Sequence, residues 1–181
     1  MKKITYTEAL LLAANAHNGQ KDKGGNDYIK HPLTLAMSLK EKGYDDDYQI
    51  AGLLHDVVED TDITFDDLER EGVSDNIIDA LKLLTHVVDK AYIKSYIDRT
   101  DKLIHPNIVS NNAKENEYLY YIKDIYENDI ATAVKLADLE HNSCIHRLKS
   151  FDERSKNRMI KYGKAVSLLT CKNNLGSLLN K

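Results

Sequence analysis

Apolar residues recur at intervals of three and four along most of the chain, which is the spacing that lines one face of an α-helix. No segment shows the regular alternation of apolar and polar residues that predicts a half-buried strand. The pattern therefore predicts an all-α fold. The expected helices cover about Thr5–His17, Pro32–Gly43, Asp45–Leu54, a short helix opened by Thr64, Ser74–Leu84, Ala113–Glu127, Asp129–Arg147 and Phe151–Asn173. The length of 181 residues fits one domain over residues 1–181.

Two regions break the helical pattern. Gly19, Gly24, Gly25 and Asn26 mark a polar loop after the first helix. Periodicity also weakens over residues 86–113, where Pro106 and several small polar residues indicate a long connection. Long connections in compact domains are often functional, so this segment is interpreted as an insertion or a mobile lid.

Composition excludes several classes of function. The formal charge of −4 gives no basis for a nucleic-acid or membrane-surface partner. Two cysteines do not suggest a disulfide framework, and a reducing cytoplasm is the expected compartment. The N-terminus lacks the apolar core of a signal peptide, and no segment reaches the roughly 20 apolar residues of a membrane span.

The segment G-L-L-H-D-V-V-E-D-T-D, residues 52–62, crowds charge at the end of an apolar helix. On a helix, His55 and Glu59 lie one turn apart, as do Asp56 and Asp60. Repulsion and desolvation oppose this arrangement unless a cation lies among the groups, so a metal site is one interpretation. The alternatives are a polar helix end for the His-Asp pair and a solvated acidic turn for the residues after it.

Further metal ligands would come from distant segments. His31 precedes Pro32 at a helix start, and Asp138 interrupts an apolar stretch, where an unpartnered carboxylate would be costly. The alternatives are a structural histidine and a capping aspartate. His141 is a candidate for supporting a ligand, and Cys144 is expected to be a small core residue because no second cysteine lies near it.

Four motifs occur in this order: A-H-N-G-Q (16–20), Y-I-K-H-P (28–32), L-L-H-D-V-V-E-D-T (53–61) and V-K-L-A-D-L-E-H-N (134–142). Together they resemble the HD superfamily, and within it the hydrolase domain of RelA/SpoT-type alarmone enzymes and their small stand-alone relatives. The resemblance covers about residues 5–150, with the last predicted helix beyond it. It implies an HD-type helical bundle.

The resemblance also implies that His31, His55, Asp56 and Asp138 are the metal ligands. Two imidazoles and two carboxylates suit Mn²⁺, while Fe²⁺, Co²⁺ and Zn²⁺ remain open on ligand type. In such hydrolases the ion lowers the pKa of a water and neutralises charge developing on phosphorus.

Other residues match further positions of the family. Glu59 and Asp60 correspond to its catalytic acidic pair, and Asn142 to a residue that contacts the nucleoside. Lys23 and Lys135 are candidates for phosphate contacts, with an ordinary exposed lysine as the alternative for each. The leading expectation is a manganese-dependent phosphohydrolase of a nucleotide, with guanosine 3′,5′-bis(diphosphate) losing its 3′-pyrophosphate as the first substrate.

The chain departs from the family in the loop before Tyr28. Asp22 stands where an arginine that holds the guanine nucleotide is expected, and Asp27 stands where a proline is usual. An aspartate gives no guanidinium stacking and repels a polyphosphate. A phosphohydrolase for another nucleotide or phosphoester is therefore the second interpretation. A non-catalytic metal and nucleotide-binding module is the third, which the acidic pair disfavours. At 181 residues the chain is not expected to include a synthetase domain, and nothing in it specifies an oligomeric state.

Overall fold

Capping residues set the first turns of several helices in the computed structural model, which describes residues 2–22, 24–85, 113–144 and 152–179. Thr5 and Glu8 form a capping box at the start of the first helix, and Thr64 and Asp67 form another. The helices are α1 (Tyr6–Ala16), α2 (Lys30–Glu41), α3 (Asp46–Leu54), α4 (Val57–Asp60), α5 (Phe65–Arg70), α6 (Asp75–Leu84), α7 (Ala113–Tyr126), α8 (Asp129–Asn142) and α9 (Glu153–Leu179).

The described ranges are helical, as the sequence pattern predicts. Within them the backbone forms no strand, only an isolated bridge between Lys21 and Asp27 in the polar loop. Helix α2 begins at Lys30, two residues before the predicted start at Pro32. Proline fits anywhere in a first turn, because the N–H groups there have no partner within the helix.

Helix α8 ends earlier than the pattern predicts. It stops at Asn142 instead of Arg147, and Ser143 caps it. Cys144 therefore lies past the helix and is exposed, so its expected place in the core is wrong. The segment predicted to be an insertion or a lid lies outside the described residues up to residue 112.

A glycine brings α2 and α3 together at the centre of the fold. A Cβ atom on Gly52 would lie 2.9 Å from Leu39 Cδ1 and 3.5 Å from the backbone nitrogen of Ala36. Helix α2 packs along α3, and α8 lies against both. This packing brings the first turn of α2 to the last turn of α3, where the His31 and His55 rings lie 5.1 Å apart.

The remaining helices complete a core of aliphatic side chains. Helix α9 packs on α7, with Ala165 and Leu169 buried. No described helix combines the length and the apolar character that crossing a bilayer demands.

Candidate metal centre and active site

Three side chains converge where α2, α3 and α4 meet. Ligand atoms of His31, His55 and Asp56 all lie within 4.8 Å of one another. Asp56 Oδ2 is 3.0 Å from His55 Nε2 and 3.5 Å from His31 Nε2. Helix α3 ends at Leu54 and α4 begins at Val57, so the His-Asp pair occupies the break between them. A break in the helix lets two consecutive side chains point to one place.

Asp138 reaches the same place from the middle of α8. Its Oδ1 lies 3.5 Å from His31 Nε2, and its side chain is buried. Lys135 Nζ donates to Oδ2 at 3.0 Å, and Asn142 Nδ2 donates to Oδ1 at 2.5 Å. These donors lie about one helical turn before and after Asp138, so all three share one face of α8. The structure thus brings together the four residues expected as ligands.

Hydrogen bonds on the far side of each imidazole aim its other nitrogen into the centre. His55 Nδ1 lies 2.9 Å from the Gly52 carbonyl, which can only accept, so Nδ1 carries a hydrogen. In neutral His55, Nε2 then has a free lone pair facing Asp56. His31 Nδ1 lies 2.7 Å from His141 Nδ1, and the two rings stack. His141 therefore contacts a candidate ligand.

Burial and neighbouring charge shift the pKa values of these groups in opposite directions. Burial and the His55 charge lower the pKa of His31 to about 4. Burial also acts to lower the pKa of His55, but Asp56 and Asp138 outweigh it and raise that pKa to about 9. Burial acts to raise the pKa of Asp56, but His55 and Tyr28 outweigh it and hold that pKa below the usual range. These buried carboxylates therefore require positive charge beside them.

The donor set fits a divalent transition-metal ion. It offers two imidazole nitrogens and carboxylate oxygens from two residues, and these donors are largely buried. Mixed nitrogen and oxygen donors of this kind suit Mn²⁺ and its neighbours in the first transition row. A bound cation would also supply the positive charge that the carboxylates need.

The acidic pair lies on the single turn of α4, beside the centre. Glu59 and Asp60 are both exposed, whereas His31, His55 and Asp138 are buried and Asp56 is half-buried. The Tyr28 hydroxyl donates to Asp56 Oδ2 at 2.6 Å and lies 3.0 Å from Asp60 Oδ2. Burial, followed by the Asp56 charge, raises the pKa of Tyr28 far above its ordinary value, so the phenol keeps its proton.

Lys135 is not an ordinary exposed lysine, which was the alternative to a phosphate contact. Its ammonium group lies over the ring of Tyr121, 5.4 Å from the centroid, besides bonding to Asp138. Burial acts to lower the pKa of Lys135, but the Asp138 charge outweighs it and leaves that pKa well above the usual value. Lys135 is thus a permanent cation beside the candidate centre. Lys23, the other predicted phosphate contact, lies outside the described residues.

Helices α7 and α9 form a polar wall next to Asp138 that sequence reasoning missed. The Tyr118 hydroxyl and Arg158 Nε are buried and have no hydrogen-bond partner among the described residues. Lys161 Nζ lies 4.1 Å from the centroid of the Tyr118 ring. Burial, then the Asp138 charge, raises the pKa of Tyr162 on the same wall. Helical spacing predicts only that Tyr162 packs inward, and it does not distinguish a core position from a site.

Comparison with known proteins gives one family and a consistent group of relatives. The HD domain family matches residues 9–115. The bifunctional (p)ppGpp synthase/hydrolase SpoT of Escherichia coli is 44% identical over 63 residues, 35% of this chain and 9% of SpoT. A guanosine-3′,5′-bis(diphosphate) 3′-pyrophosphohydrolase of Aquifex aeolicus is 36% identical over 96 residues, 53% of this chain and 14% of that protein. A putative chloroplastic GTP diphosphokinase, RSH1, of rice (Oryza sativa subsp. japonica) is 51% identical over 65 residues, 35% of this chain and 7% of that protein.

The chain therefore spans at most about a seventh of the length of these three relatives, with 14% the largest share. Among solved structures, a metazoan ortholog of SpoT described as hydrolysing ppGpp superimposes with a TM-score of 0.67. The match covers 94% of this chain and 88% of that chain at 23% identity. At that identity the likeness establishes the shared helical fold.

Proposed function

Because the chain belongs to the HD domain family, as its four motifs predict, we propose that it is a metal-dependent phosphohydrolase of a nucleotide. The first substrate we propose is guanosine 3′,5′-bis(diphosphate), hydrolysed to guanosine diphosphate and pyrophosphate. The observation that carries the proposal is the convergence of His31, His55, Asp56 and Asp138 beside an exposed acidic pair.

The four converging residues would hold the metal ion, for which Mn²⁺ is our proposal. When bound, such an ion lowers the pKa of water and neutralises charge that develops on a phosphate. The chain holds the donors ready for it: Gly52 orients His55, His141 orients His31, and Lys135 with Asn142 orients Asp138. Such support raises metal affinity because it removes the freedom of each ligand.

Glu59 and Asp60 would act on the attacking water. Both are ionisable groups next to the centre and open to solvent, where a substrate can reach them. A carboxylate in that position orients a water by accepting its hydrogen bond and takes its proton as the water attacks phosphorus. Both acidic residues are exposed, whereas His31, His55 and Asp138 are buried and Asp56 is half-buried, which supports separate roles in turnover and metal binding.

A polyanionic substrate fits the wall formed by α7 and α9. Lys135, Arg158 and Lys161 bring positive charge beside the acidic centre, and the Arg158 Nε group still has a hydrogen bond to donate. The SpoT and Aquifex relatives are named for action on guanosine polyphosphates. Asn142, whose amide already bonds Asp138, would contact the nucleoside with its remaining hydrogen-bonding groups.

The second candidate is a phosphohydrolase for a different nucleotide or phosphoester. The loop around Asp22 supports it, because its carboxylate accepts the backbone N–H groups of Gly24 and Asn26 at 2.8 Å each. The loop is therefore built around a negative charge where the family resemblance implies an arginine that holds guanine nucleotide. The two candidates share the metal centre and the acidic pair and differ only in substrate.

The test is hydrolysis of a nucleotide panel by the purified protein with added MnCl₂. Released pyrophosphate and orthophosphate are measured separately for guanosine 3′,5′-bis(diphosphate) and for guanosine and adenosine triphosphates, and released p-nitrophenol is measured for bis-p-nitrophenyl phosphate. Release of pyrophosphate from the first substrate supports the leading proposal. Turnover of another member alone supports the second candidate. A metal-loaded protein that hydrolyses none of them contradicts both.

Glu59→Gln should lower kcat about 100-fold or more, because the amide keeps the shape but cannot take a proton. Metal content should stay at the wild-type level. The control is Glu69→Gln, a change of the same chemistry at an exposed position of α5. Near wild-type turnover in Glu59→Gln would refute the role of this residue.

A further inference from the structure

We infer that Tyr28 is a positioning residue that locks Asp60 against the candidate metal centre, and that Gln20 fixes the backbone of the same aspartate. The inference rests on the proposed function, because it concerns the acidic pair that would act on water. It is carried by two sets of hydrogen bonds that reach Asp60 from the loop between α1 and α2.

The first contact joins the side chains. The Tyr28 hydroxyl lies 2.6 Å from one oxygen of Asp56 and 3.0 Å from one of Asp60. The phenol has a single hydrogen, which it shares unequally between the two carboxylates in a three-centre bond, and this holds them at a fixed separation. Through this single hydroxyl, a residue expected to hold the metal is joined to a residue expected to act on water.

The phenol ring is itself held on two sides. Its centroid lies 4.8 Å from the His17 ring and 5.9 Å, edge to face, from the His31 ring. The Tyr28 N–H donates to the Gln20 carbonyl, and the Tyr28 carbonyl accepts from the His31 N–H. Both its backbone and its ring are therefore fixed, so the hydroxyl has little freedom to leave its partners.

The second contact fixes the backbone of α4. Gln20 Nε2 donates to the Asp60 carbonyl at 2.9 Å, across 40 positions of sequence. Gln20 Oε1 can only accept, so His17 Nδ1 donates to it at 2.9 Å and the amide orientation is set. His17 is buried at 2% exposure and holds the amide from inside the fold.

Helix α4 needs such support because it is one turn long, Val57–Asp60. A single turn gains few internal hydrogen bonds and leaves its last carbonyls without partners in the helix. Outside contacts therefore decide where the acidic pair points. For Asp60, two such contacts come from Gln20 to the backbone and from Tyr28 to the side chain.

The direct test is Tyr28→Phe, which removes the hydroxyl and keeps the ring between the two histidines. We expect kcat to fall about tenfold, the effect of losing one hydrogen bond to a charged group. KM should stay within about twofold, and the manganese content at saturating MnCl₂ should match wild type, because the four ligand candidates are intact and Asp56 loses only one supporting bond. Tyr44→Phe, a hydroxyl deletion at an exposed position, is the matched control and should keep wild-type kcat.

A double-mutant cycle tests whether Tyr28 acts through Asp60. Asp60→Asn and the double variant Tyr28→Phe/Asp60→Asn are measured beside the single variants, with melting temperature and metal content for each. If Tyr28 serves to place Asp60, the double variant should be no slower than Asp60→Asn alone. A further tenfold loss in the double variant would overturn the inference, as would wild-type kcat in Tyr28→Phe or its loss of bound manganese.

Gln20→Met tests the backbone contact, since methionine keeps the length but neither donates to Asp60 nor accepts from His17. We expect kcat about threefold to tenfold lower with unchanged KM. Unchanged kcat would overturn the part of the inference that concerns Gln20. The proposed function is judged on the wild-type protein across the nucleotide panel, and this inference on the ratio of variant to wild type with whichever substrate is turned over.

Discussion

At the scale of single residues, Asp138 shows how neighbouring groups accommodate a buried carboxylate at a candidate metal site. Lys135 and Asn142 donate to it from its own helix, and His31 faces it from α2. An isolated carboxylate in this place would be strongly destabilising. Its partners compensate its negative charge and fix its direction, which prepares the carboxylate to bind a metal ion.

Asp138→Ala should abolish most metal binding, because it removes one of four donors and leaves Lys135 as a buried cation without its partner. Metal content after manganese loading and dialysis is the measurement, with the melting temperature recorded on the same samples. Glu140→Gln changes an exposed carboxylate on the same helix, which forms a surface ion pair with Lys42, and serves as control. Full manganese occupancy in Asp138→Ala would rule out the four-ligand assignment.

Asp22, which stands where the family resemblance implies an arginine, has a structural role in its loop. Its carboxylate builds the loop by accepting from Gly24 and Asn26, so Asp22→Arg would lose those bonds together with the charge. Asp22→Asn is the cleaner change, because the amide oxygen still accepts while the negative charge is removed.

If guanosine 3′,5′-bis(diphosphate) binds near this loop, Asp22→Asn should lower its KM about twofold to fivefold, since one repulsive charge is removed at a partly solvated position. The KM for bis-p-nitrophenyl phosphate, which has no nucleobase, should change less, because that molecule carries a single negative charge. An unchanged KM for guanosine 3′,5′-bis(diphosphate) would indicate that its phosphates bind away from Asp22.

The residues of the candidate site differ in how far sequence reveals them. His55, Asp56, Glu59 and Asp60 stand in one short segment, where helical spacing alone predicts that they cluster. Tyr28 was missed because the partners of its hydroxyl lie 28 and 32 positions away on another element. The sequence did not predict that Lys135 is covered either, since periodicity does not show that α7 and α9 pack on that face of α8.

At the scale of elements, short polar signals determine where helices begin, while their ends depend on the fold. Both Thr-to-acid capping boxes coincide with helix starts that the sequence predicts. The C-terminal end of α8 was misplaced by five positions, because polar residues after Asn142 do not break the helical pattern. The packing of α2 on α3 through Gly52 likewise needed the structure, since a glycine within a helix does not reveal its neighbour.

The cap of α1 predicts a pH dependence of stability. Glu8 receives hydrogen bonds from Lys2 and from the backbone and hydroxyl of Thr5, and these lower its pKa from 4.5 to about 2. The folded state therefore binds this proton less readily than the unfolded state does. The contribution of Glu8 to stability is complete above about pH 4.5 and is lost as pH falls towards 2.

Glu8→Gln should accordingly lower the melting temperature at pH 7, and its deficit relative to wild type should shrink below about pH 4.5. Thermal unfolding followed by circular dichroism between pH 7 and pH 3 measures this difference. Glu69→Gln, at an exposed position outside any capping box, is the control. A deficit that stays constant over the whole range would contradict the role of the Glu8 charge.

At the scale of the whole molecule, the candidate metal centre joins elements that are far apart in sequence. His31 comes from α2, His55 and Asp56 from the break between α3 and α4, and Asp138 from α8. An ion bound by all four connects these helices and binds only when they are packed together. Its binding free energy is therefore added to the stability of the fold.

Removing the metal should lower the melting temperature. Ion present at 100 times its dissociation constant stabilises by about 2.7 kcal/mol, which corresponds to roughly 5–10 °C for a domain of this size. Differential scanning calorimetry before and after a chelator, followed by restoration with MnCl₂, measures the effect. In Asp138→Ala the chelator should have little effect, and an equally large drop in that variant would contradict the proposed ligand set.

The contact between α2 and α8 also has a consequence for synthesis of the chain on the ribosome. His31 and His141 lie in hydrogen-bond contact although 110 positions separate them. The segments that carry His31, His55 and Asp56 emerge before α8 and can pack locally, because α2 and α3 are neighbours in sequence. The fourth group arrives only with α8, after all the residues between α6 and α8 have been made. We therefore expect a nascent chain that stops short of α8 to hold metal weakly, and hydrolytic competence to appear in one step once α8 has been made.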